Sequence, residues 1–264
     1  MTMRPGTNQS IKMRALHRRT AGIVCLMAVA AAMPFLAGRA DAFSAPAPIL
    51  GLGALFFRPK GMSITPSLGN EDDLVEAGKF FTDAFWSGKA GGAAELSPFQ
   101  RSSIERQQVL EFRRRYGPKM RGADRRAEIL LCRDGSGTFL GCAGIEVDNI
   151  SKADGRSQGR ICAPLMSNLA VGKDFRRKGI AEDLVKKAEE MARREWGYNE
   201  CYLYVEKRNI GAVKLYRKLG YKQVWEDDKA KTLLPTEGGK LRTAGTVIIC
   251  MKKRLGGIGR FLPF

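Results

Sequence analysis

Residues 168–221 constrain the fold more than any other part of this chain, because several patterns follow one another there in a fixed order. A short apolar run, Leu169-Ala170-Val171, predicts a strand, and the basic run Arg176-Arg177-Lys178 comes directly after it. Apolar residues then recur at helical spacing from Ala181 to Ala192, and a second apolar run from Cys201 to Val205 predicts another strand. Alternating strands and helices of this kind are typical of an α/β domain.

The turn between the first strand and the helix has the composition of an anion site. A helix start leaves its first backbone N–H groups without partners and carries a partial positive charge, so it attracts phosphate. Gly179 and Ala181 leave room for a pyrophosphate to approach the main chain, and Arg176, Arg177 and Lys178 add positive charge beside it.

A second helix follows the second strand. Asn209 is a good N-cap, and Gly220 stands where a left-handed C-cap is expected. Leu215 and Leu219 are explained by packing in a core. Core packing explains Tyr216 less well, because a buried phenol needs a hydrogen-bond partner for its hydroxyl.

Two motifs in this segment resemble a known family. Arg-x-x-Gly-x-Ala after a strand, followed by Asn-x-x-Ala-x-x-Leu-Tyr-x-x-x-Gly-Tyr, is similar to the GCN5-related N-acetyltransferases (the GNAT superfamily), including plastid-type protein N-acetyltransferases. The resemblance implies an α/β fold: a GNAT-like three-layer α/β/α domain with a mixed, mostly antiparallel sheet. It also implies acetyl-CoA as the acetyl donor and no metal. The flanking strand patterns are compatible with a domain covering residues 61–254.

The same resemblance implies roles for individual residues. Backbone amides would hold the pyrophosphate of acetyl-CoA in a basic turn formed by Arg176, Arg177, Lys178, Gly179, Ile180 and Ala181. The strand through Leu169, Ala170 and Val171 would pair with the pantetheine arm. Asn209 would bond pantetheine or the loop beside it, and Tyr216 would face the CoA sulfur as general acid.

The attacking amine must be neutral, which raises the question of a general base. At pH 7, deprotonating a lysine costs roughly 4–5 kcal/mol, against about 1 kcal/mol for an α-amino group. Many N-terminal acetyltransferases of the superfamily carry a Glu five residues before the capping Asn, but Tyr204 stands there in this chain. Glu206, Glu146 and Asp148 are the alternatives, and each is equally explained as a solvated acid at a strand end.

Composition excludes several other kinds of chemistry. The only histidine, His17, lies in a segment expected to be removed, so Ser-His-Asp, Cys-His and His-ligated zinc sites are excluded in a mature monomer. Of the six cysteines, four lie in apolar strand-like runs, where free cysteine behaves as a small hydrophobe: Cys132, Cys142, Cys201 and Cys250. A reducing compartment is the simplest interpretation.

The N-terminus has the pattern of a targeting leader. A basic stretch precedes an apolar run over 21–37, and Ala40-Asp41-Ala42 forms a cleavage signal, so residues 1–42 are predicted to be a signal-peptide-like leader. The acid-free segment 43–60 then resembles the transit peptides of algae with complex plastids. We therefore expect the plastid stroma, with a secreted or membrane-anchored protein as the alternative. No transmembrane segment is expected in the mature chain, and residues 255–264 are interpreted as a C-terminal tail.

The charge balance favours anionic partners. The whole chain has a formal net charge of +18, and removing residues 1–42 takes away six basic residues and one acidic residue, which leaves +13. CoA phosphates, acidic protein surfaces, ribosomes and nucleic acid all fit this balance, as does a solvated helix surface. No pattern for sequence-specific nucleic-acid binding is present.

The other predicted elements complete one domain. We predict a strand over 62–66, helices over 71–86 and 103–116, a hairpin over 128–147, and strands over 223–225 and 246–251. Loops over 87–97, 148–160 and 228–244 are expected to frame the acceptor groove. Trp86, Tyr202 and Trp225 are candidate walls, although each is more often a core residue.

Three functional hypotheses follow. The first is an acetyltransferase acting on protein amines, with N-terminal α-amines as the easier target and lysine ε-amines as the second. The alternative enzyme acetylates a small amine, such as a polyamine or an amino acid. A rival hypothesis of another class is a non-catalytic basic protein bound to ribosomes or RNA. This hypothesis does not explain why Tyr216 and Asn209 are present.

Overall fold

The computed structural model describes residues 59–86, 89, 95–118, 126–151, 159–236 and 240–256. The predicted leader, most of the transit-peptide-like segment and most of the tail lie outside the described residues, as do His17 and Cys25. Within these ranges the chain forms nine strands and four helices.

The strands and helices are numbered in chain order. The strands are β1 (Ser63–Pro66), β2 (Ala127–Arg133), β3 (Phe139–Ser151), β4 (Arg160–Val171), β5 (Glu200–Glu206), β6 (Lys222–Asp227), β7 (Lys231–Pro235), β8 (Leu241–Gly245) and β9 (Ile248–Arg254). The helices are α1 (Glu71–Phe81), α2 (Pro98–Tyr116), α3 (Ile180–Glu190) and α4 (Ile210–Lys218). Wider π-helical turns extend α1 over Thr82–Trp86 and α3 over Met191–Glu195.

Seven strands form one sheet in the order β1-β2-β3-β4-β5-β9-β6. Strands β4 and β5 are parallel, and every other neighbouring pair in this sheet is antiparallel. The prediction of a mixed, mostly antiparallel sheet is therefore confirmed.

Helices cover both faces of the sheet. Along β2, Leu130 and Cys132 pack with α3 and α4 on one face, whereas Ile129 and Leu131 pack with α1 and α2 on the other. This alternation is the period-two pattern of a strand buried on both sides. The predicted three-layer α/β/α arrangement is confirmed.

Three predicted boundaries or loops differ from the structure. Helix α2 begins at Pro98 rather than at residue 103, because Ser97 and Gln100 form a reciprocal capping box and proline suits the first helical position. The predicted loop over 228–244 contains the hairpin β7–β8, which packs back on the domain through hydrogen bonds from Gln100 Nε2 to the carbonyls of Thr236 and Lys240. Strand β3 also extends to Ser151, into the predicted loop over 148–160.

Candidate active site

The two parallel strands β4 and β5 separate in the middle of the sheet. They pair only at Leu165 with Tyr202 and at Met166 with Leu203. Beyond these pairs, within the described residues, β4 continues beside β3 and β5 continues beside β9. The separated carboxyl ends of parallel strands are the usual location of ligand sites in α/β sheets.

A β-bulge lies in β4 at the point of separation. Asn168 adopts a left-handed backbone conformation with φ +52°, and the pairing with β3 shifts by one residue between Cys142 and Gly144. Tyr116 of α2 holds the bulge, because its hydroxyl accepts a hydrogen bond from Asn168 Nδ2 (2.8 Å) and lies 3.2 Å from Ser167 Oγ. Bulges bend a strand and increase its twist, which fits the divergence of β4 from β5.

The side chains of the three β4 residues predicted to pair with the pantetheine arm are buried. Leu169 and Val171 belong to the core between the sheet and α3, whereas Ala170 packs on the α1–α2 side. Their side chains therefore stabilise the sheet. Only main-chain groups of this part of β4 are suited to contact a ligand.

The turn between β4 and α3 presents main-chain amides at a helix start. Arg177 and Gly179 have left-handed backbone conformations, with φ +65° and φ +85°. Gly179 is the N-cap residue, and no side-chain hydrogen bond caps the helix there. The first N–H groups of a helix have no intrahelical acceptor and point along the positive end of its dipole. The turn therefore has the geometry of a phosphate site, and Ile180 anchors it in the core.

The three basic side chains of this turn have different surroundings. Arg176 is half-buried and donates hydrogen bonds to the carbonyls of Val171 (Nε, 3.2 Å) and Ala84 (Nη2, 2.8 Å), and its burial lowers its pKa. Its side chain therefore braces the turn against the end of α1. Arg177 is exposed, and Lys178 Nζ lies 5.4 Å from the ring centre of Phe175.

Asn209 and Tyr216 lie on α4 as expected. Asn209 Oδ1 accepts a hydrogen bond from the Ala212 backbone N–H (3.2 Å), which caps the helix. Tyr216 is 1% exposed and packs edge-on against Tyr221, with ring centres 5.7 Å apart. Burial, and then the neighbouring Cys201 thiol, raise the pKa of Tyr216 well above its ordinary value, so its hydroxyl stays protonated. No other described residue forms a hydrogen bond with that hydroxyl.

Two of the three candidate bases have clear structural partners. Glu146 forms an ion pair with Arg115, and both side chains are buried between β3 and α2. Asp148 is exposed and accepts a hydrogen bond from the Asn149 backbone N–H (2.7 Å). Tyr204, which occupies the position where Glu was expected from the sequence, packs against Trp225 with ring centres 5.5 Å apart.

Glu206, the third candidate, lies in a polar group at the end of β5 that we call the Glu206 cluster: Lys89, Glu206, Arg208, Thr232 and Thr246. Arg208 Nε lies 2.5 Å from Glu206 Oε2, and Lys89 Nζ lies 3.6 Å from Oε1. The hydroxyls of Thr232 and Thr246 donate to the two carboxylate oxygens at 3.1 and 3.2 Å. Two cations and two hydroxyls thus surround this carboxylate.

Sequence reasoning missed Lys89. It lies in a segment rich in Gly and Ala without periodicity, so neither its burial nor its distant partners are visible in the sequence. Its Nζ donates to Thr232 Oγ1 at 3.0 Å. Burial lowers the pKa of Lys89 to about 8, with Glu206 opposing the shift and Arg208 adding to it.

The three aromatic residues predicted to line the acceptor groove lie in different parts of the structure. Trp86 is buried beside Phe85, and Lys89 Nζ lies 4.7 Å from its ring centre. Tyr202 is buried and donates to Glu200 Oε2 (3.0 Å), and Trp225 Nε1 donates to the Ser151 carbonyl (2.9 Å). Of the three, only Trp86 borders the Glu206 cluster.

Other kinds of site were also sought. In the described part of the chain, no group of three or more His, Cys, Asp or Glu side chains could hold a metal ion. Five described cysteines are free thiols, and all but Cys162 are buried. No helix in the same part is long and apolar enough to cross a membrane.

Comparisons with known proteins agree with this geometry. Residues 93–221 match the sequence profile of the Acetyltransferase (GNAT) family. Over 59 residues, the chain is 44% identical to GCN5-related N-acetyltransferase 4, chloroplastic, of Arabidopsis thaliana, covering 22% of this chain and 20% of that protein. Over 57 residues, it is 37% identical to an N-alpha-acetyltransferase of Saccharolobus solfataricus, covering 22% of this chain and 34% of that protein.

One solved structure extends the similarity to the fold. An N-acetyltransferase from Staphylococcus aureus Mu50 superimposes with a TM-score of 0.50 at 16% identity, covering 75% of this chain and all of that one. The sequence matches span about a fifth and a third of the lengths of the plant and archaeal relatives.

Proposed function

The chain belongs to the acetyltransferase (GNAT) family through residues 93–221, and from this premise we propose that it transfers an acetyl group from acetyl-CoA to protein amines. N-terminal α-amines are the first acceptors in this proposal, and lysine ε-amines are the second. The observation that supports it is the start of α3, where Arg177 and Gly179 are left-handed and no side chain caps the helix, which leaves main-chain amides for the proposed pyrophosphate.

In the proposed complex, the donor lies along the gap between β4 and β5. Backbone amides from Arg177 to Ala181 bind the pyrophosphate, and the exposed side chain of Arg177 and the partly exposed side chain of Lys178 add positive charge. Arg176 contributes by holding the turn in place. Main-chain groups of Leu169–Val171 pair with the pantetheine arm. Acetyl-CoA is the co-substrate, and it supplies the activated acetyl group.

Tyr216 is the proton donor to the CoA sulfur in this proposal. A thiolate needs a proton as it leaves, and a phenol kept protonated by burial is suited to provide one. Asn209 contributes by capping the helix that carries Tyr216, and its side-chain N–H₂ group is left for pantetheine or the adjacent loop.

The preference for α-amines has a chemical and a comparative support. At pH 7, the free-energy cost of deprotonating an α-amine is roughly 3–4 kcal/mol lower than that of deprotonating a lysine amine. The archaeal relative, whose printed name is N-alpha-acetyltransferase, agrees with this preference.

We further propose that the protein works in the plastid, with 1–42 and 43–60 as its leader and 61–254 as the catalytic domain. The plant relative is described as chloroplastic, and the leader pattern of the sequence points the same way. The positive charge of the mature chain fits ribosomes as a site of encounter with new N-termini.

The deciding experiment offers purified protein three acceptor classes with acetyl-CoA. The probes are peptides with a free α-amine, the same peptides with a blocked α-amine and a free lysine, and small amines such as spermidine. Mass spectrometry is expected to find acetyl groups mainly on the α-amines. Acetylation confined to the small amines refutes the protein substrate, and no acetylation of any probe refutes the transferase.

A further inference from the structure

Two residues that follow α1, Ala84 and Lys89, contact the two strand ends at which β4 and β5 have separated. At one side, the Ala84 carbonyl is bound by Arg176, whose Nε also binds the last carbonyl of β4 at Val171. At the other side, Lys89 reaches the carboxylate of Glu206, the last residue of β5. Lys89 therefore lies where the groove between the strands ends.

The surroundings of the Lys89 ammonium group are unusual for a lysine. Its side chain is 6% exposed, and its Nζ lies 5.0 Å from the ring centre of Phe85 and 4.7 Å from that of Trp86. Lysine is rarely buried to this degree unless it is paired. The aromatic faces and the carboxylate stabilise the charged form, whereas desolvation and Arg208 favour the neutral form.

A hydrogen-bond chain links this lysine to Glu206. Lys89 Nζ donates to Thr232 Oγ1, and Thr232 Oγ1 donates to Glu206 Oε1. Thr232 comes from the β7–β8 hairpin, which joins this group from outside the main sheet. Through the Thr232 hydroxyl, the Glu206 carboxylate can stabilise an ammonium group that forms at Lys89, and Glu206 itself stays ionised.

We propose that Lys89 is the general base of the reaction, and that Thr232 and Glu206 hold the ammonium group it becomes. This inference rests on the proposed acetyl transfer. The acceptor ammonium loses one proton to the neutral Lys89 amine, and the resulting amine forms the C–N bond as the C–S bond of the donor breaks. The leaving thiolate receives its proton from Tyr216, and the second proton of the attacking amine restores that phenol. Lys89 then releases its proton to water.

The proposed base discriminates between acceptors. The pKa of Lys89 is close to that of an α-amino group, about 7.8, so proton transfer from an N-terminal ammonium is nearly balanced. Transfer from a lysine side chain, with a pKa of about 10.4, is unfavourable by more than a hundredfold. Lys89 thus accounts for a preference for N-termini in a chain that has Tyr204 at the family's glutamate position.

The first test uses Lys89→Arg and Lys89→Met in the full chain, with Lys79→Arg as a matched control at an exposed position in the last turn of α1. Arginine keeps the charge and the hydrogen bonds to Glu206 and Thr232 but does not exchange a proton in this pH range. We expect both Lys89 variants to lose at least tenfold in kcat on an α-amine peptide, with KM for acetyl-CoA within twofold of wild type. The control should match wild type.

The outcomes separate the two proposals. If wild type acetylates the peptide and Lys89→Arg does so equally fast, with the same pH profile, the role of Lys89 is refuted and the transferase stands. If wild type acetylates no amine, the transferase and the base fall together. A measurement on wild type alone does not depend on variant folding: the side-chain ¹⁵N resonance of Lys89, assigned by through-bond correlations along its own side chain and backbone, should titrate near pH 8. A signal that stays protonated beyond pH 10 overturns the assignment.

Discussion

Glu182, in the first turn of α3, is bound to Lys218 at the end of α4, with 2.8 Å between Oε2 and Nζ. This contact joins the turn proposed to hold the pyrophosphate to the helix that carries Tyr216. Lys186, one turn further along α3, binds the other carboxylate oxygen at 2.8 Å. The two functional parts of the site are thus held in a defined relative position by one side chain.

We expect Glu182→Gln to lower the stability slightly near neutral pH. Hydrogen bonds from Lys186 and Lys218 lower the pKa of Glu182 to about 2. A lowered pKa in the folded state means that its contribution is present above the unfolded value and is lost as pH falls through about 2. Because the pair is partly exposed, the contribution is about 0.5–1 kcal/mol.

Thermal denaturation between pH 2 and pH 7 measures this contribution. The difference in melting temperature between wild type and Glu182→Gln should shrink as the solution is acidified. Glu226→Gln, which removes a comparable exposed pair with Lys207, is the control for the effect of losing one exposed ion pair on the melting temperature. A gap that stays constant down to pH 2 contradicts the assignment.

Gly179→Asp should weaken acetyl-CoA binding by at least tenfold. The substitution places a negative charge and a side chain beside the proposed pyrophosphate, at a position with φ +85° where a non-glycine residue costs about 1–2 kcal/mol. Gly197→Asp is a matched control, because Gly197 has φ +76° and open space around it but lies beyond the other end of α3.

Calorimetric titration with acetyl-CoA compares the two variants with wild type. The Gly197 variant should bind as wild type does, with a similar loss of stability. Equal affinities for all three proteins would place the anion site elsewhere.

Tyr216→Phe should lower kcat at least several-fold and leave acetyl-CoA binding nearly unchanged. The hydroxyl has no hydrogen-bond partner among the described residues, so its removal should not destabilise the fold. Tyr221→Phe removes the hydroxyl of the neighbouring ring in the same core and is the control for packing. Steady-state kinetics and melting curves of both variants separate proton donation from stability. Unaltered turnover of Tyr216→Phe would remove this residue as the donor.

Local patterns predicted much of the fold and part of the site. Helix periodicity and the Asn209 cap are encoded within a few neighbouring residues, and the structure has both helices and the cap as predicted. The partners of Lys89 lie more than a hundred residues away in sequence, on β5 and on a hairpin whose short strands resemble a polar loop. Contacts of that range leave no periodic signal in a single sequence. Glu146 is a second example: the sequence suggests a solvated acid at a strand end, but in the structure it pairs with Arg115 of α2.

The Glu146–Arg115 pair gives the last prediction, because it separates a structural from a catalytic carboxylate. Both side chains are buried, so Glu146→Gln removes a buried negative charge that is paired with Arg115. Losing one partner of a buried pair typically costs about 3–5 kcal/mol of stability. We expect chemical denaturation to show a loss of that size, whereas Glu111→Gln, at an exposed pair with Arg114, should cost less than about 1 kcal/mol.

Activity measured per folded molecule completes this test. If Glu146 is structural, the folded fraction of Glu146→Gln should retain the wild-type pH profile and a kcat close to that of wild type. A tenfold or larger fall in kcat with little loss of stability would instead make Glu146 a base, and would displace Lys89 from that role. The buried position of the carboxylate against a guanidinium group favours the structural outcome.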